Sequence, residues 1–151
     1  TLATRVKDAT GLDIVVINPQ LIPDILVLLV AANKTAHVQR TGKMKTDTMA
    51  TELLYQLSPA TNIAGALKLF GASSVPDPGS IFVGIFDPAP GDLHTLRSVI
   101  SGQVAGFSSD TFASSLDTAA LSHVYKADFS TMTQREMLGH IATKLAVKQL
   151  G

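Results

Sequence analysis

The chain has 151 residues, the size of one domain, and its 12 Lys and Arg residues balance 12 Asp and Glu residues to a formal net charge of zero. Hydrophobic residues make up 46% and charged residues 16% of the chain, which excludes intrinsic disorder and a broadly basic nucleic-acid coat. The absence of cysteine excludes disulfides, thiolate nucleophiles and zinc–thiolate sites. Because few charges oppose self-association of such a surface, we expect a partner to cover part of it.

A short helix and a buried strand are predicted first. Residues 1–9 fit a helix, and Gly11 suits the left-handed position that commonly ends one. The β-branched run Ile14–Ile17 predicts a buried strand, and Asn18-Pro19 is a typical stop.

A long second helix is predicted to begin after Pro23, with Asp24 at its start, and to run to about Arg40, where Gly42 stops it. Residues 25–30 are apolar on every face of that helix. We therefore expect its first half to be central and buried. The longest apolar run of the chain, residues 25–32, is also far shorter than the roughly 20 residues of a membrane-spanning helix, so no membrane contact is predicted.

The next stretch predicts a strand and an amphipathic helix. Residues 52–57 fit the strand, and Thr61 or Asn62 then caps the helix. Its apolar residues recur at helical spacing: Ile63, Ala66, Leu67 and Phe70. Gly71 ends the helix, and we expect it to adopt the positive φ that glycine tolerates best.

The region after that helix alternates strands with a helix. Turn chemistry at residues 77–79 precedes an apolar strand at residues 81–86. Asp92 is predicted to cap a helix that Gly102 ends, and residues 103–107 fit a further strand.

Two more helices complete the predicted fold. Asp117 caps the first, and Ser130 or Thr131 opens the second. Four short strands and about six helices predict an α+β class, in which several helices pack on a small mixed β-sheet within a single domain, residues 1–151.

The sequence lacks the motifs that carry catalysis. It contains no phosphate-binding loop, no dinucleotide-binding glycine pattern and no nucleophile elbow. No two of its four histidines stand four residues apart, as a helical metal pair requires: His37, His94, His123 and His140. These patterns favour a non-enzymatic role without metal or cofactor, and an enzyme whose site assembles across the fold remains a third hypothesis.

One stretch of this neutral chain is locally basic. No acid lies between Asp24 and Asp47, whereas four basic residues do: Lys34, Arg40, Lys43 and Lys45. The stretch is either a solvated helix end, where cations favour the C-terminal dipole, or a patch that contacts phosphates. The predicted helix start at Asn62 and Ile63 is either a plain N-cap or offers free backbone N–H groups to an anion.

The last helix carries more apolar surface than one buried stripe needs. Its stripe consists of Met137, Leu138, Ile141 and Leu145. The residues that widen it are Ala142, Ala146 and Val147. Such a helix either belongs wholly to the core or faces a core and a partner. Helical spacing predicts that Leu138, Ile141 and Leu145 face the core. The more exposed flank would then hold Met137, Lys144, Val147 and Lys148.

Several motifs follow one another in a distinctive order: Ile17-Asn18-Pro19, Leu29-Val30-Ala31-Ala32-Asn33-Lys34, Gly42-Lys43-Met44-Lys45-Thr46, Thr51-Glu52-Leu53-Leu54, Leu57-Ser58-Pro59 and Asn62-Ile63-x-x-Ala66-Leu67-Lys68-x-Phe70-Gly71. Across residues 14–71 the sequence therefore resembles the PRPK-binding-protein (TPRKB) family, the small kinase-binding subunit of the KEOPS/EKC complex. Beyond residue 71 the resemblance is thin, with Val124-Tyr125-Lys126 and the closing helix as its later parts.

The resemblance implies a subunit without catalysis of its own. Family members bind the N-terminal lobe of the complex's small atypical kinase, and their C-terminal helix belongs to that surface. The complex makes threonylcarbamoyladenosine in tRNA, and archaeal relatives bind the tRNA 3′ end. Other KEOPS subunits would be indirect partners, and the protein would be found in the cytoplasm and the nucleus. Relatives also carry an additional N-terminal segment with a strand before the position of Thr1, so either a sheet edge is unpaired here or the chain is trimmed.

Two candidate sites follow from the residues and the resemblance. The kinase-binding residues lie on the last helix: Met137, Leu138, Ile141, Lys144, Leu145, Val147 and Lys148. The tRNA-binding residues are Lys34, Arg40, Lys43, Lys45, Asn62 and Ile63. The alternative function is a free-standing RNA-binding module that uses the basic patch at residues 34–45.

Overall fold

The computed structural model describes residues 2–72, 79–104, 106 and 108–148. Across these residues the chain forms eight α-helices and two β-strands, which confirms the α+β class. In chain order they are α1 (Leu2–Thr10), β1 (Ile14–Ile17), α2 (Ile25–Arg40), α3 (Met49–Leu57), α4 (Ile63–Phe70), β2 (Phe82–Ile85), α5 (Asp92–Val99), α6 (Ser109–Ser115), α7 (Thr118–Tyr125) and α8 (Gln134–Lys148).

The two strands form an antiparallel sheet. Ile14 pairs with Ile85 at one end of the ladder, and Ile17 pairs with Phe82 at the other. An isolated bridge places Gly71 opposite Ile17 as well.

The strands predicted at residues 14–17 and 81–86 are confirmed, but the described sheet is antiparallel rather than mixed. Residues 103, 104 and 106 lie outside any strand, which contradicts the strand predicted there. Residues 105 and 107, like residues 77 and 78 of the predicted turn, lie outside the described part of the chain.

Capping residues begin and end several helices where the sequence predicts them. The side chains of Asp24, Asn62 and Asp117 each accept a hydrogen bond of 2.9–3.1 Å from a backbone N–H two or three residues later. Gly11 and Gly42 follow α1 and α2 with φ of 77° and 68°, in the left-handed region that glycine favours.

The segment predicted as a strand at residues 52–57 belongs to α3. Thr48 begins this helix with a capping box, since its hydroxyl accepts from the Thr51 amide at 3.1 Å and the Thr51 hydroxyl accepts from the Thr48 amide at 3.3 Å. Every residue from Glu52 to Leu57 is buried. Without an exposed face, the helical period is not visible in the sequence, and a buried helix resembles a buried strand.

The positive φ predicted for Gly71 is wrong, because its φ is −78°. Glycine is favoured there for another reason. A Cβ at this position would lie 2.7 Å from the carbonyl oxygen of Leu67, which is closer than non-bonded atoms approach.

Two further helices differ from their predicted form. Gly91, with φ of 90°, is the N-cap of α5 instead of Asp92. The Asp92 carboxylate instead accepts a hydrogen bond of 2.7 Å from the Ala89 amide. Helix α6, at Ser109–Ser115, was not predicted, because it buries Phe112 alone and therefore has no apolar stripe.

Helix α8 begins at Gln134, a few residues later than the predicted starts at Ser130 and Thr131. Those two residues lie in a 3₁₀ turn instead. Thr133 and Glu136 then cap α8 reciprocally, each side chain accepting from the other's amide at 3.2 Å.

The main core lies where α2, α3, α7 and α8 meet β1. Its largest fully buried apolar and aromatic side chains are Tyr125, Phe70, Phe129, Ile22, Leu57, Leu121, Ile141 and Leu145. Tyr125 donates a hydrogen bond of 2.7 Å to the Leu57 carbonyl oxygen, so this buried hydroxyl is satisfied. A smaller cluster of Val6, Ile14 and Leu96 connects α1, β1 and α5. Among the helices described, none is both long and apolar enough to cross a membrane.

Candidate protein-binding face and basic loop

Helices α2 and α8 lie side by side and run in the same direction. Near their starts, Gln134 Nε2 donates to the Pro23 carbonyl oxygen at 3.2 Å. Further along, Lys34 Nζ donates to the Leu145 carbonyl oxygen. In each of these two hydrogen bonds the partners are 111 residues apart in the sequence. The two helices therefore stay aligned with one another over about three turns.

The first half of α2 is not buried on all sides, contrary to the expectation from its composition. Val27 and Ala31 face the core with exposures of 4% and 0%. Leu26 and Leu29 are 45% and 57% exposed, and Ile25 is exposed as well. One side of the apolar run therefore packs against the core, and another side faces outward.

A small apolar groove between α2 and α8, with a volume of about 10 Å³, adjoins this outward surface. Its lining residues are Leu26, Val27, Val30, Leu138, Ile141, Ala142 and Leu145. Val27, Ile141 and Leu145 are buried and form the floor. We call the remaining groove residues, together with the adjacent Leu29, the α2–α8 face: Leu26, Leu29, Val30, Leu138 and Ala142.

The predicted kinase-binding residues of α8 divide between core and surface. Ile141 and Leu145 are fully buried, as expected. Met137 is 6% exposed, so its predicted place on the open flank is wrong, since it lies one turn before Ile141 on the core side. Leu138 is half-buried beside α2, at the edge of the groove.

The other flank of α8 carries the last three predicted residues. Val147 is 57% exposed, as predicted, whereas Lys144 and Lys148 are half-buried. Val147 is nine residues from Leu138, which places the two on opposite sides of a helix with 3.6 residues per turn. The exposed surface of α8 therefore includes two separate apolar positions, one of which adjoins α2.

Lys148 binds the end of α3. Its ammonium donates to the carbonyl oxygens of Tyr55 and Ser58, the latter at 2.8 Å, and lies 3.5 Å from the centre of the Tyr55 ring. The carbonyls at a helix C-terminus lack partners within the helix, so a cation there is favourable. The ammonium of Lys34 likewise binds near the C-terminus of α8, where it donates to the Leu145 carbonyl oxygen.

These two ammonium groups are partly removed from water. Burial, and then the nearby charge of Lys34, lower the pKa of Lys148 to about 8, although the Glu52 carboxylate acts in the opposite direction. Burial also lowers the pKa of Lys34. Burial and the Glu52 charge together raise the pKa of the Tyr55 hydroxyl.

The segment between α2 and α3 forms a basic loop, residues 41–48. Lys43 and Lys45 are exposed, whereas Met44, which lies between them, and Thr46, which follows Lys45, are half-buried. This alternation directs the two lysine side chains outward and anchors the residues next to them.

The carboxylate of Glu52 on α3 fixes that loop. Glu52 is 0% exposed and accepts from the Lys45 amide at 2.8 Å and from the Thr46 hydroxyl at 3.3 Å. The single hydroxyl hydrogen of Thr46 is shared between Glu52 and the Thr48 carbonyl oxygen, which lies at 3.2 Å, and the hydroxyl oxygen accepts from Thr51 at 3.0 Å. The sequence did not reveal this role of Glu52, because residues 52–57 resemble a strand.

The structure separates the predicted tRNA-binding residues. Lys34 contacts α8, whereas Arg40 ends α2 in an exposed position next to the loop that carries Lys43 and Lys45. The Asn62 side chain caps α4, and the neighbouring Ile63 is 37% exposed. Arg40, Lys43 and Lys45 therefore form one exposed basic segment to which Lys34 does not belong.

A second cavity, of about 520 Å³, opens between α1 and α5. Most of the described residues that line it are apolar, and its polar members are Arg5 and Ser101. An active site needs several converging polar groups, and this lining does not supply them. Within the described residues, no group of three His, Cys, Asp or Glu side chains could hold a metal ion.

Comparison with known proteins identifies the family of this chain. The family described as kinase binding protein CGI-121 matches residues 2–149. The chain belongs to this family. One relative is the EKC/KEOPS complex subunit TPRKB of Danio rerio, with 28% identity over 134 residues, which cover 89% of this chain and 75% of the relative. The family match confirms the resemblance drawn from residues 14–71 and extends it through α8.

Proposed function

We propose that this CGI-121 family member is a non-catalytic subunit of the KEOPS/EKC complex that binds the complex's small atypical kinase through the α2–α8 face. The observation that carries the proposal is the exposure of Leu29 and Leu26 beside the groove to α8. Support for a kinase as the partner comes from the family's description and from the relative's place in the EKC/KEOPS complex.

The face has the character of an interface core. Apolar side chains from two helices adjoin one another there, and charged residues are absent from its five members. Protein interfaces bury a core of this kind and keep their charged residues at the rim.

Calorimetric titration of the purified kinase subunit into the full chain tests this proposal. We expect a one-to-one complex and a negative heat-capacity change, because apolar surface is buried on binding. A matched titration with an unrelated small kinase controls for nonspecific association. No heat of binding with the cognate kinase, from two folded proteins, would contradict the proposal.

We further propose an auxiliary contact between the basic loop and tRNA, in support of threonylcarbamoyladenosine modification by the complex. Arg40, Lys43 and Lys45 support it, because they are exposed along one short segment. Cations in such a segment can meet the phosphates of one strand. The family that residues 14–71 resemble has archaeal members that bind the tRNA 3′ end, so we propose this end as the part of the tRNA that the loop contacts.

The double variant Lys43→Glu with Lys45→Glu tests the RNA contact. We expect weaker tRNA binding and a salt dependence whose slope falls by about 0.7–0.9 for each phosphate that a lysine no longer neutralises. Kinase binding should be unchanged, because the loop lies outside the α2–α8 face. Unchanged tRNA affinity and slope would mean that the segment is only a solvated helix end.

The alternative, a free-standing RNA-binding module, predicts a different pair of results. The isolated chain would bind tRNA tightly with a steep salt dependence, and the cognate kinase would not bind it. For the subunit we propose residence in both the cytoplasm and the nucleus, which imaging of a tagged full chain would test.

A further inference from the structure

Glu52 is the fully buried carboxylate at the base of the basic loop. Its exposure is 0%, and its oxygens face the backbone amide of Lys45 and the hydroxyl of Thr46. Burying a carboxylate is costly unless hydrogen bonds replace its water. At this position the loop supplies those hydrogen bonds, so the loop and the carboxylate depend on each other.

The bonds from Glu52 continue into a network that orders the whole loop. Thr46 bonds to Thr48 and Thr51, which form the capping box of α3. At the other end of the loop, the Lys43 amide donates to the Val38 carbonyl oxygen at 2.8 Å. The backbone on both sides of Met44 is therefore held, while the two lysine side chains remain exposed.

We propose that Glu52 is a positioning residue for RNA binding, which holds the basic loop so that Lys43 and Lys45 meet phosphates in a preformed arrangement. The inference rests on the proposed RNA contact of this loop. In an extended segment, the Cα atoms of two lysines that are two residues apart are separated by about 7 Å at most. A loop that is already ordered in the free protein loses little further backbone freedom on binding. Less of the binding free energy is then lost in ordering it.

Simple electrostatics and positioning predict opposite effects for Glu52→Gln. Removal of a negative charge beneath two lysines would strengthen the binding of a polyanion. Glutamine, however, offers one neutral acceptor oxygen in place of two charged ones, so the hydrogen bonds that hold the loop become weaker and the loop less ordered. We therefore expect Glu52→Gln to weaken RNA binding about five- to tenfold, the order expected when about one residue must be ordered on binding.

The matched control is Asp47→Asn in the same loop. Asp47 is exposed, and its replacement removes the same charge without touching the bonds of Glu52. Fluorescence anisotropy of the full chain with tRNA, at several salt concentrations, compares the two variants. We expect slightly tighter binding for Asp47→Asn and weaker binding for Glu52→Gln, with the salt slope of both unchanged because both lysines still reach phosphates.

A second readout does not depend on RNA. Glu52→Gln should speed hydrogen exchange at the Lys45 amide in the free protein, because that amide loses part of its acceptor. If Glu52→Gln fails to fold, Thr46→Val decides the question, since it removes the hydroxyl without changing charge and should also weaken RNA binding.

The outcomes separate this inference from the RNA contact on which it rests. If Lys43→Glu with Lys45→Glu weakens binding but Glu52→Gln binds as tightly as Asp47→Asn, Glu52 is not a positioning residue. If the double lysine variant binds tRNA like the parent, both the contact and the inference are overturned. Weakened binding by Glu52→Gln at an unchanged salt slope supports the inference.

Discussion

The ammonium of Lys34 on α2 donates a hydrogen bond to the carbonyl oxygen of Leu145 in the last turns of α8. In the same region Lys148, from α8 itself, donates to Tyr55 and Ser58 at the end of α3. Two lysines therefore connect three helices through backbone carbonyls near helix C-termini. The C-terminal part of α8 is held in place by polar contacts as well as by apolar packing.

These lysines predict a stability that rises with alkaline pH. The pKa of Lys148 is lowered from 10.5 to about 8 in the folded protein, so the folded state binds this proton less tightly than the unfolded state. The free energy of unfolding should therefore rise between about pH 8 and about pH 10.5. Because Lys148 is only half-buried, the gain should be less than the about 1.4 kcal/mol per pKa unit of a fully shielded group.

Urea unfolding at about pH 7.5 and about pH 9.5 measures this effect, with Lys148→Met as the comparison. The methionine variant lacks the titrating group and should have a smaller pH dependence. The raised pKa values of Tyr55 and Tyr125 act in the opposite direction, and stability should fall again above about pH 10. An equal rise in the parent and in Lys148→Met would rule out Lys148 as its source.

A pair of glycine variants tests the ending of α4. Gly71→Ala places a Cβ 2.7 Å from the Leu67 carbonyl oxygen and should lower the free energy of unfolding by about 1 kcal/mol or more. Gly139→Ala, within α8, meets nothing within 4 Å and should raise it by up to about 1 kcal/mol through helix propensity. Denaturant titration of both variants measures the two signs. Destabilisation of Gly139→Ala, or none in Gly71→Ala, would contradict these contacts.

Local signals in the sequence predicted much of the fold. The caps at Asp24, Asn62 and Asp117, and the glycines after α1 and α2, act within a few residues of the helix ends that they set. The run at residues 52–57 was assigned wrongly, because its burial on every side erased the period that distinguishes a helix from a strand.

The α2–α8 face could not be predicted from any local pattern in the sequence. Leu26 and Leu29 appear in the sequence as part of a buried helix, and only the packing of α8 against α2 determines which side of that run faces outward. The same holds for Glu52, because its role depends on a loop contact seven residues back along the chain. The α2–α8 face and the role of Glu52 therefore both depend on tertiary contacts, whereas the excess of basic residues in the loop was visible in the sequence.

The exposed flank of α8 opposite the groove can be tested separately. Val147→Glu introduces a charge at a position that is 57% exposed, so the isolated chain should stay folded by circular dichroism. If the kinase covers this flank as well as the groove, the buried and unpaired charge should strongly weaken binding, by about tenfold or more. We predict that weakening, measured by calorimetry. Full-strength binding would confine the interface to the α2 side of α8, and failure to fold would place Val147 in the core.

The most direct test of the proposed kinase interface compares Leu29→Glu with Leu93→Glu in titrations against the cognate kinase. The two leucines are 57% and 53% exposed on helices α2 and α5, and only Leu29 belongs to the α2–α8 face. We predict that Leu29→Glu weakens kinase binding at least about tenfold, because a charge must be desolvated there, and that Leu93→Glu binds like the parent. Equal affinities for Leu29→Glu, Leu93→Glu and the parent, with all three folded, would contradict binding through the α2–α8 face.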